Sequence, residues 1–383
     1  MALKIARRGS VPPFIVMDVM RAAAEREATG ADTLHLEVGQ PSSGLPRKAA
    51  ERVAGLLGSG APLGYTVALG LPELREKIAG HYKTALGATV DPSRIIATMG
   101  SSAGFILAFL SAFEAGDRVG ITRPGYPAYR HILKALGVEP VSIPVGPETR
   151  FQPTVEVLET VEGPLDGLIV TSPSNPTGTV MPPEELKRVV EWCDARKVRL
   201  ISDEIYQGIT FGRPAETVAE IAPDAIVVNS FSKYFCMTGW RLGWLVVPED
   251  MVRPIECLAQ NLFISPPTLS QHAGIAVFDC ADELEANVQR YARNREVLLD
   301  GLPSAGFDKL APADGAFYLY ADVAHRTNDS LSFCKRMLAE TGVAATPGVD
   351  FDDVEGDRFV RFSFAGSTED MERAVAALKT WRP

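Results

Sequence analysis

Five short runs in this chain share one design: an almost wholly apolar, β-rich body that ends abruptly in a polar turn. They are "RIIATMGSS" (94–102), "DRVGITRPGY" (117–126), "DGLIVTSPSNPTG" (166–178), "VRLISDEIY" (198–206) and "AIVVNSFSK" (225–233). Side chains alternate across a strand, so a strand with one wet face shows apolar–polar alternation, and these runs show little of it. They read as strands buried on both faces, the situation of a parallel sheet covered by helices on either side. Helical patterns lie between them, such as "SAGFILAFLSAF" (102–113) and "PPEELKRVVEWCDAR" (182–196). The second opens on Pro182 and Pro183, where a missing N–H costs nothing. The alternation predicts an α/β fold: a large three-layer α/β/α domain with a mostly parallel sheet.

After Pro267 the pattern changes. "DELEANVQRYARNREVLL" (282–299) sets Leu284, Val288, Tyr291, Val297 and Leu298 near helical spacing, giving a long amphipathic helix. "GAFYLYADV" (315–323) and "RFVRFSFAG" (358–366) follow as strands with polar residues interspersed, then a final helix in "DMERAVAALKTW" (370–381). This is a smaller α+β domain, completed by the N-terminal segment. The expected division is residues 42–284 for the large domain, with 1–41 and 285–383 forming the small one.

Open α/β sheets bind ligands in the crevice beyond the carboxyl ends of their strands. The turns after the five runs place Gly100, Ser101, Ser102, Tyr126, Asn175, Asp203, Tyr206, Ser230, Ser232 and Lys233 at one edge. Each alone has an ordinary explanation: a lysine is usually a solvated charge, a serine after a strand a helix cap, an aspartate an ion-pair partner. Together they are chemically coherent. Ser101 and Ser102 open a helix and offer donors to an anion, aided by the helix dipole. Ser230, Ser232 and Arg241 add further donors, the arginine in bidentate fashion. No nucleotide loop competes, since "GSGAPLG" (58–64) does not satisfy G-x-G-x-x-G and no G-x-x-x-x-G-K is present. A phosphate, an amine, an acid and a stacking aromatic suit pyridoxal phosphate, which needs a lysine for its Schiff base and an acid to keep its ring nitrogen protonated.

Bulk properties narrow the partners. A net charge of −10 argues against nucleic acid and against anionic membrane surfaces. Cys193, Cys236, Cys257, Cys280 and Cys334 are scattered without a C-x-x-C, so neither a disulfide framework nor a metal site is expected. Arg7-Arg8 form a twin arginine, but no apolar h-region follows, and no run approaches the length of a membrane span. A cytoplasmic enzyme is the expectation.

With these residues in view, the chain resembles the class I/II aminotransferases, the aspartate-aminotransferase-like members of the fold type I pyridoxal-phosphate-dependent enzymes. The match runs in order along nearly the whole chain, and "SFSKYFCMTGWRLGW" (230–244) is its most specific segment. The resemblance implies that Lys233 is the catalytic residue and forms the Schiff base, and that Arg241 and Ser230 hold the phosphate. In "SPSNPTG" it implies that Asn175, with Tyr206, contacts the phenolic oxygen of the cofactor ring, and in "DEIY" that Asp203 pairs with the ring nitrogen. It places Tyr126 against the ring face, Arg361 of "RFSFA" on the substrate carboxylate and Gly39 of "VGQP" nearby. Strand alternation agrees: Val360, Phe362 and Phe364 face one way, Phe359, Arg361 and Ser363 the other. "GYTVALGLPELREKIA" matches the segment whose tyrosine, here Tyr65, reaches the partner's phosphate, which implies a homodimer with shared active sites.

One departure bears on substrate. The bacterial subgroup that handles dicarboxylic amino acids often carries a lysine where this chain has Ser102, and no other basic residue is placed for a side-chain carboxylate. The apolar "VPPFI" (11–15) is free to line the entrance instead. The expected reaction is ping-pong transamination between a neutral, or broad-range, L-amino acid and a 2-oxo acid. Three rivals stand beside it. A C–S β-lyase would use the same scaffold. An S-x-x-K serine acyl enzyme, read from "SFSK", lacks its S-D-N and K-T-G partners. A cofactor-binding regulator would need a DNA-binding domain for which the chain has no spare residues.

Overall fold

The structure, a computed structural model, describes residues 3–382. A helix, Ile15–Ala28, leads to a two-residue strand, β1 (Leu34–His35). The large sheet is then built from β2 (Ile95–Thr98), β3 (Arg118–Arg123), β4 (Glu139–Pro144), β5 (Gly167–Thr171), β6 (Arg199–Asp203), β7 (Ile226–Ser230) and β8 (Gly243–Val246). Its order is β2-β8-β7-β6-β5-β3-β4. β8 is antiparallel to both neighbours, β2 and β7, while every other pairing is parallel.

The five runs singled out in the sequence are β2, β3, β5, β6 and β7. Every residue of β5 and β7 is buried, as expected of strands covered on both sides. Their side chains divide between two cores. Leu168, Val170 and Val227 join one with Leu74, Ile78, Leu186 and Val189 from helices Pro72–Ala85 and Pro183–Arg196. Ile169, Ile226 and Val228 join the other with Phe105, Leu133 and Ile255 from helices Gly100–Ala112, Pro127–Leu136 and Glu249–Leu262. That is the three-layer arrangement. Each such aliphatic side chain contributes about 1.5–3 kcal/mol by leaving water.

Two strands of the large sheet lie outside those five runs. β4, "EPVSIP", is an edge strand with a single fully buried residue, Ile143, and two prolines that an edge tolerates. β8 follows the lysine turn so closely that its four residues read as part of the turn.

A second sheet is formed by β9 (Lys309–Leu310), β10 (Tyr318–Asp322), β12 (Thr346–Pro347) and β13 (Phe359–Ser363), in the order β12-β13-β10-β9, all antiparallel. Between them in sequence, β11 (Val343–Ala344) pairs in parallel with β1. Val360, Phe362 and Phe364 are fully buried in one core with Leu319 and Ala321, and Arg361 points to the opposite face, as the alternation predicts. The long helix Ala281–Ser304 packs Leu284, Val288, Tyr291 and Leu298 inward, with Val297 partly buried beside them. The N-terminal helix rests on the C-terminal third of the chain, Ala23 packing with Leu338 and Ala344. In the β10–β13 pair the register sets Tyr320 opposite Arg361 and Tyr318 opposite Ser363.

Candidate active site

A cavity of about 540 Å³ opens beyond the carboxyl ends of the parallel strands, and Ser101, Ser102, Tyr126, Asn175, Asp203, Tyr206, Ser232, Lys233 and Arg241 all line it. Gly39 and Arg361 close it from the side of the second sheet.

Lys233 sits in the turn after β7. Its amine donates to the backbone carbonyl of Gly39 at 2.5 Å and lies 5.6 Å from the centre of the Tyr206 ring. Burial pushes the amine down to about 8, helped by the positive charges of Arg361 and Arg241 and opposed by Asp203. At pH 7 about a tenth of it is thus neutral, far more than for an ordinary surface lysine.

Asp203, at the end of β6, is 1% exposed. Its Oδ2 accepts from the Tyr129 hydroxyl and its Oδ1 from the N–H of Ile205 at 3.1 Å. Burial raises its carboxyl to about 6, against the pull of those hydrogen bonds and of the Lys233 charge. A carboxylate so placed makes no ion pair among the described residues. Its neighbour Glu204 turns away from the cavity and accepts from Ser202 and from the N–H of Val218, a structural task.

The anion cradle is where helix Gly100–Ala112 begins. Gly100 has φ +73°, and a Cβ there would meet the Arg241 guanidinium at 2.5 Å, so glycine is what lets the arginine lie over the helix start. Arg241 itself has φ +50° and donates to the carbonyl of Thr238 at 2.9 Å. Ser230, expected from the sequence to hold the phosphate, sits one layer deeper than Ser232. It does not line the cavity; it is 1% exposed and stands behind Ser232, 2.9 Å from that hydroxyl, with the Leu242 carbonyl at 3.3 Å. The same geometry removes the S-x-x-K reading, because the Lys233 amine hydrogen-bonds to Gly39 and Ser230 faces the protein interior.

Arg361 is 3% exposed. Its guanidinium donates to Asn175 Oδ1 at 2.8 Å, to the Glu37 carbonyl at 2.6 Å and to Thr346 Oγ1 at 3.1 Å. It is held between two rings, 4.3 Å from the centre of Tyr318 and 4.6 Å from that of Phe351. Gly39 is fixed as glycine by contact, since a Cβ there would fall onto the Tyr318 hydroxyl. Tyr126 packs edge-on to Phe14 and Tyr129, at 5.7 and 5.3 Å between ring centres. Phe14, Val16, Met17, Met20 and Val38 add a largely apolar stretch of wall, interrupted by Gln40. Asp350 holds the start of the helix that carries three of them, accepting from the N–H groups of Ile15 at 2.9 Å and Val16 at 3.2 Å. Tyr65 stands apart: it is 84% exposed and does not reach its own chain's cavity.

Several of these residues escape a reading of the sequence. Tyr129 follows Tyr126 at helical i+3 spacing, a signal present in "GYPAY". Tyr318, Thr346 and Glu37 come to the site only through strand register and the return of the N-terminus, which no local pattern reveals.

Such a site fits a small aromatic aldehyde with a phosphate at one end and a basic ring nitrogen at the other. The buried Asp203 carboxylate suits a protonated ring nitrogen, the Gly100–Arg241 cradle suits the phosphate, and Lys233 suits the aldehyde; pyridoxal 5'-phosphate carries all three groups. The fold and site are those of a fold type I enzyme of that cofactor.

Comparison with known proteins gives the same result. The family model for aminotransferase class I and II matches residues 31–378, and the chain belongs to that family. It is 53% identical to the valine–pyruvate aminotransferase of Mycobacterium tuberculosis over 384 residues, covering 99% of each chain. It superimposes on the crystal structure of an aminotransferase from Mycobacterium tuberculosis with TM-score 0.97, 52% identity and 99% coverage of both chains. It also matches the aspartate aminotransferase from Thermus thermophilus with maleate, with TM-score 0.92, 30% identity and 99% of each chain covered. The chain is therefore a pyridoxal-phosphate-dependent aminotransferase. No helix among the described residues is long and apolar enough to cross a membrane.

Proposed function

We propose that this enzyme moves the amino group of an apolar, branched L-amino acid such as valine to a small 2-oxo acid such as pyruvate. The observation that carries this reading is the composition of the cavity wall. Apart from Lys233 and the phosphate-side Arg241, Arg361 is the only basic residue lining it among the described residues, and Phe14, Val16, Met17, Met20 and Val38 line it with the uncharged Gln40. One buried cation suits one α-carboxylate, and an apolar wall suits an aliphatic side chain better than a second charge. The activity of the 53% identical relative points the same way.

The residues take the following roles. Arg361 grips the α-carboxylate through a guanidinium already oriented by Asn175, Glu37 and Thr346. Ser101, Ser102, Ser232 and Arg241 hold the phosphate, with Ser230 supporting Ser232 from behind. Asp203, oriented by Tyr129, keeps the proton on the ring nitrogen. Asn175 and Tyr206 bind the phenolic oxygen, and Tyr126 covers the ring. Bound pyridoxal phosphate supplies the carbonyl that accepts the amino group and an electron-withdrawing ring that makes the Cα proton removable. With the cofactor bound, Lys233 would take the proton from Cα as general base and give it back as general acid, a role usually worth about 10²–10⁴-fold. Its lowered pKa of about 8 makes the neutral, proton-accepting form far more accessible than in an ordinary lysine.

The assembly belongs to the same proposal. An exposed Tyr65 with no role in its own chain fits a homodimer in which it reaches the partner's phosphate. Residues 1–41 and 285–383 would form the unit that closes over 42–284; Met1, Ala2 and Pro383 lie outside the described residues. Scattered free cysteines suit a cytoplasmic setting.

A panel of L-amino acids tests the substrate reading by single-turnover conversion of the cofactor's visible spectrum. Valine and its neighbours should convert fastest, with pyruvate restoring the starting spectrum. Preference for aspartate or glutamate would overturn it, as would pyruvate and ammonia release from cystathionine without an oxo-acid acceptor.

A further inference from the structure

Tyr318 lines this cavity and has no role assigned above. It is 1% exposed, on β10, and touches three parts of the site. Its ring backs the Arg361 guanidinium at 4.3 Å, and its hydroxyl fills the space that a side chain on Gly39 would need. That same hydroxyl lies 2.7 Å from the hydroxyl of Tyr206.

The phenol pair has a direction once proton counting is applied. Each hydroxyl has one proton to give, and each finds only the other among the described residues. When Tyr206 donates into the cavity, to the phenolic oxygen assigned to it above, its own proton is spent. It must then accept from Tyr318. A hydroxyl that accepts a hydrogen bond becomes a stronger donor, because the two bonds polarise each other. Burial keeps both phenols protonated, so the chain Tyr318→Tyr206→cavity persists across the working pH range.

We infer that Tyr318 is a positioning residue that acts through Tyr206, setting how strongly Tyr206 donates to the phenolic oxygen and so the proton affinity of the lysine-bound cofactor. The inference rests on the cofactor placement proposed above. Stronger donation draws electron density from the phenolic oxygen, which weakens its hold on a proton shared with the neighbouring Lys233 nitrogen. Tyr318 therefore lowers the pH at which that nitrogen loses its proton. The other charged and titratable groups facing the pair are Asp203 on the Tyr206 segment, Lys233 from the turn after β7, Arg361 from β13 and Tyr126 across the cavity, with Arg241 and Asp350 around Tyr126. Tyr318→Phe leaves all of them in place and keeps the ring that backs Arg361.

The test is a spectrophotometric pH titration of the cofactor-loaded enzyme, comparing wild type, Y206F, Y318F and the double variant. Y206F should raise the midpoint of the visible band. Y318F should raise it in the same direction by about 0.3–1 pH unit, a two- to tenfold change in proton affinity. The double variant should match Y206F alone, since Tyr318 acts only through that hydroxyl. A Y318F midpoint equal to wild type, or a double variant showing the sum of both shifts, overturns the inference while leaving the site reading intact. If Y206F itself leaves the midpoint unmoved, the placement of Tyr206 on the cofactor fails, and the inference fails with it.

Discussion

Arg361 on β13 donates to the side-chain oxygen of Asn175, in the loop after β5, at 2.8 Å, so one hydrogen bond joins the two sheets across the cavity. The bond fixes the guanidinium plane before any substrate arrives, and it leaves the Asn175 amide N–H groups without a partner among the described residues. The rest of the Arg361 shell is neutral: a carbonyl, a hydroxyl and two aromatic faces. A buried cation without a close counter-ion is costly, and a bound carboxylate removes that cost.

Replacing Arg361 should therefore affect every amino donor alike. R361K keeps the charge but loses the planar fork, and R361A loses both. We expect kcat/KM to fall by about 10²–10³-fold in R361A, in line with the roughly 3–5 kcal/mol for breaking a buried charge pair, with KM carrying much of the loss. Steady-state kinetics on alanine, valine and aspartate check this. A loss confined to aspartate would show that Arg361 binds a side chain instead.

Asp203 couples function to stability. Its carboxyl sits at about 6 in the folded protein against 3.8 unfolded, because burial disfavours the charge. Below 3.8 both states are protonated and nothing is lost; between about 4 and 6 the unfolded state gives up its proton first, so stability falls as pH rises, and above 6 the loss is complete. A two-unit shift corresponds to about 3 kcal/mol. The neutral amide that D203N introduces has partners available. Its oxygen can accept from the N–H of Ile205 and its amino group can donate to the Tyr129 hydroxyl, whose own proton turns to Thr171 at 3.1 Å. Cofactor-free D203N should then be more stable than cofactor-free wild type at pH 7 by on the order of 1–3 kcal/mol, with the gap closing near pH 4. Denaturant unfolding at the two pH values measures it. The same variant should lose most of its activity, since the protonated ring nitrogen has lost its counter-charge.

Much of this site is legible in the sequence because it sits on the edge that topology favours. Lys233, Asp203, Asn175, Tyr206 and Tyr126 each follow a buried strand directly, and a parallel sheet delivers those turns to one crevice. Arg361 is readable from its strand's alternation. What stays hidden depends on contacts between distant segments. β10 must pair with β13 in one register before Tyr318 can back Arg361, and the N-terminus must return beside β13 before Glu37 can accept from it. Ser230 ends the fully buried β7 with its hydroxyl against that of Ser232, a layering that the turn motif alone does not give.

Ser102 offers a test of substrate choice. It lines the cavity in the first turn of a helix, beside the phosphate cradle, where an added ammonium would offer a dicarboxylic substrate a second cation. S102K should raise the ratio of kcat/KM for aspartate to that for valine by about 10–100-fold, the worth of one charge-assisted hydrogen bond of 1.5–3 kcal/mol. An unchanged ratio would place the substrate side chain elsewhere in the cavity.

Tyr65 carries the assembly prediction. An aromatic that is 84% exposed and remote from its own cavity cannot influence catalysis within a single chain. If it reaches the partner's phosphate, Y65A should weaken cofactor binding about 10–100-fold, the loss of one hydrogen bond to a charged group. Each half of the defect then lies on a different subunit. Y65A supplies a good Lys233 but no tyrosine, and K233A the reverse. After subunit exchange, at a cofactor concentration that leaves Y65A mostly empty, hybrid dimers hold one intact site each. The mixture of two poorly active proteins should recover about a quarter of wild-type activity, as expected for random pairing in a two-fold dimer. No recovery after exchange confirmed by native mass spectrometry would mean that every active site is built from one chain.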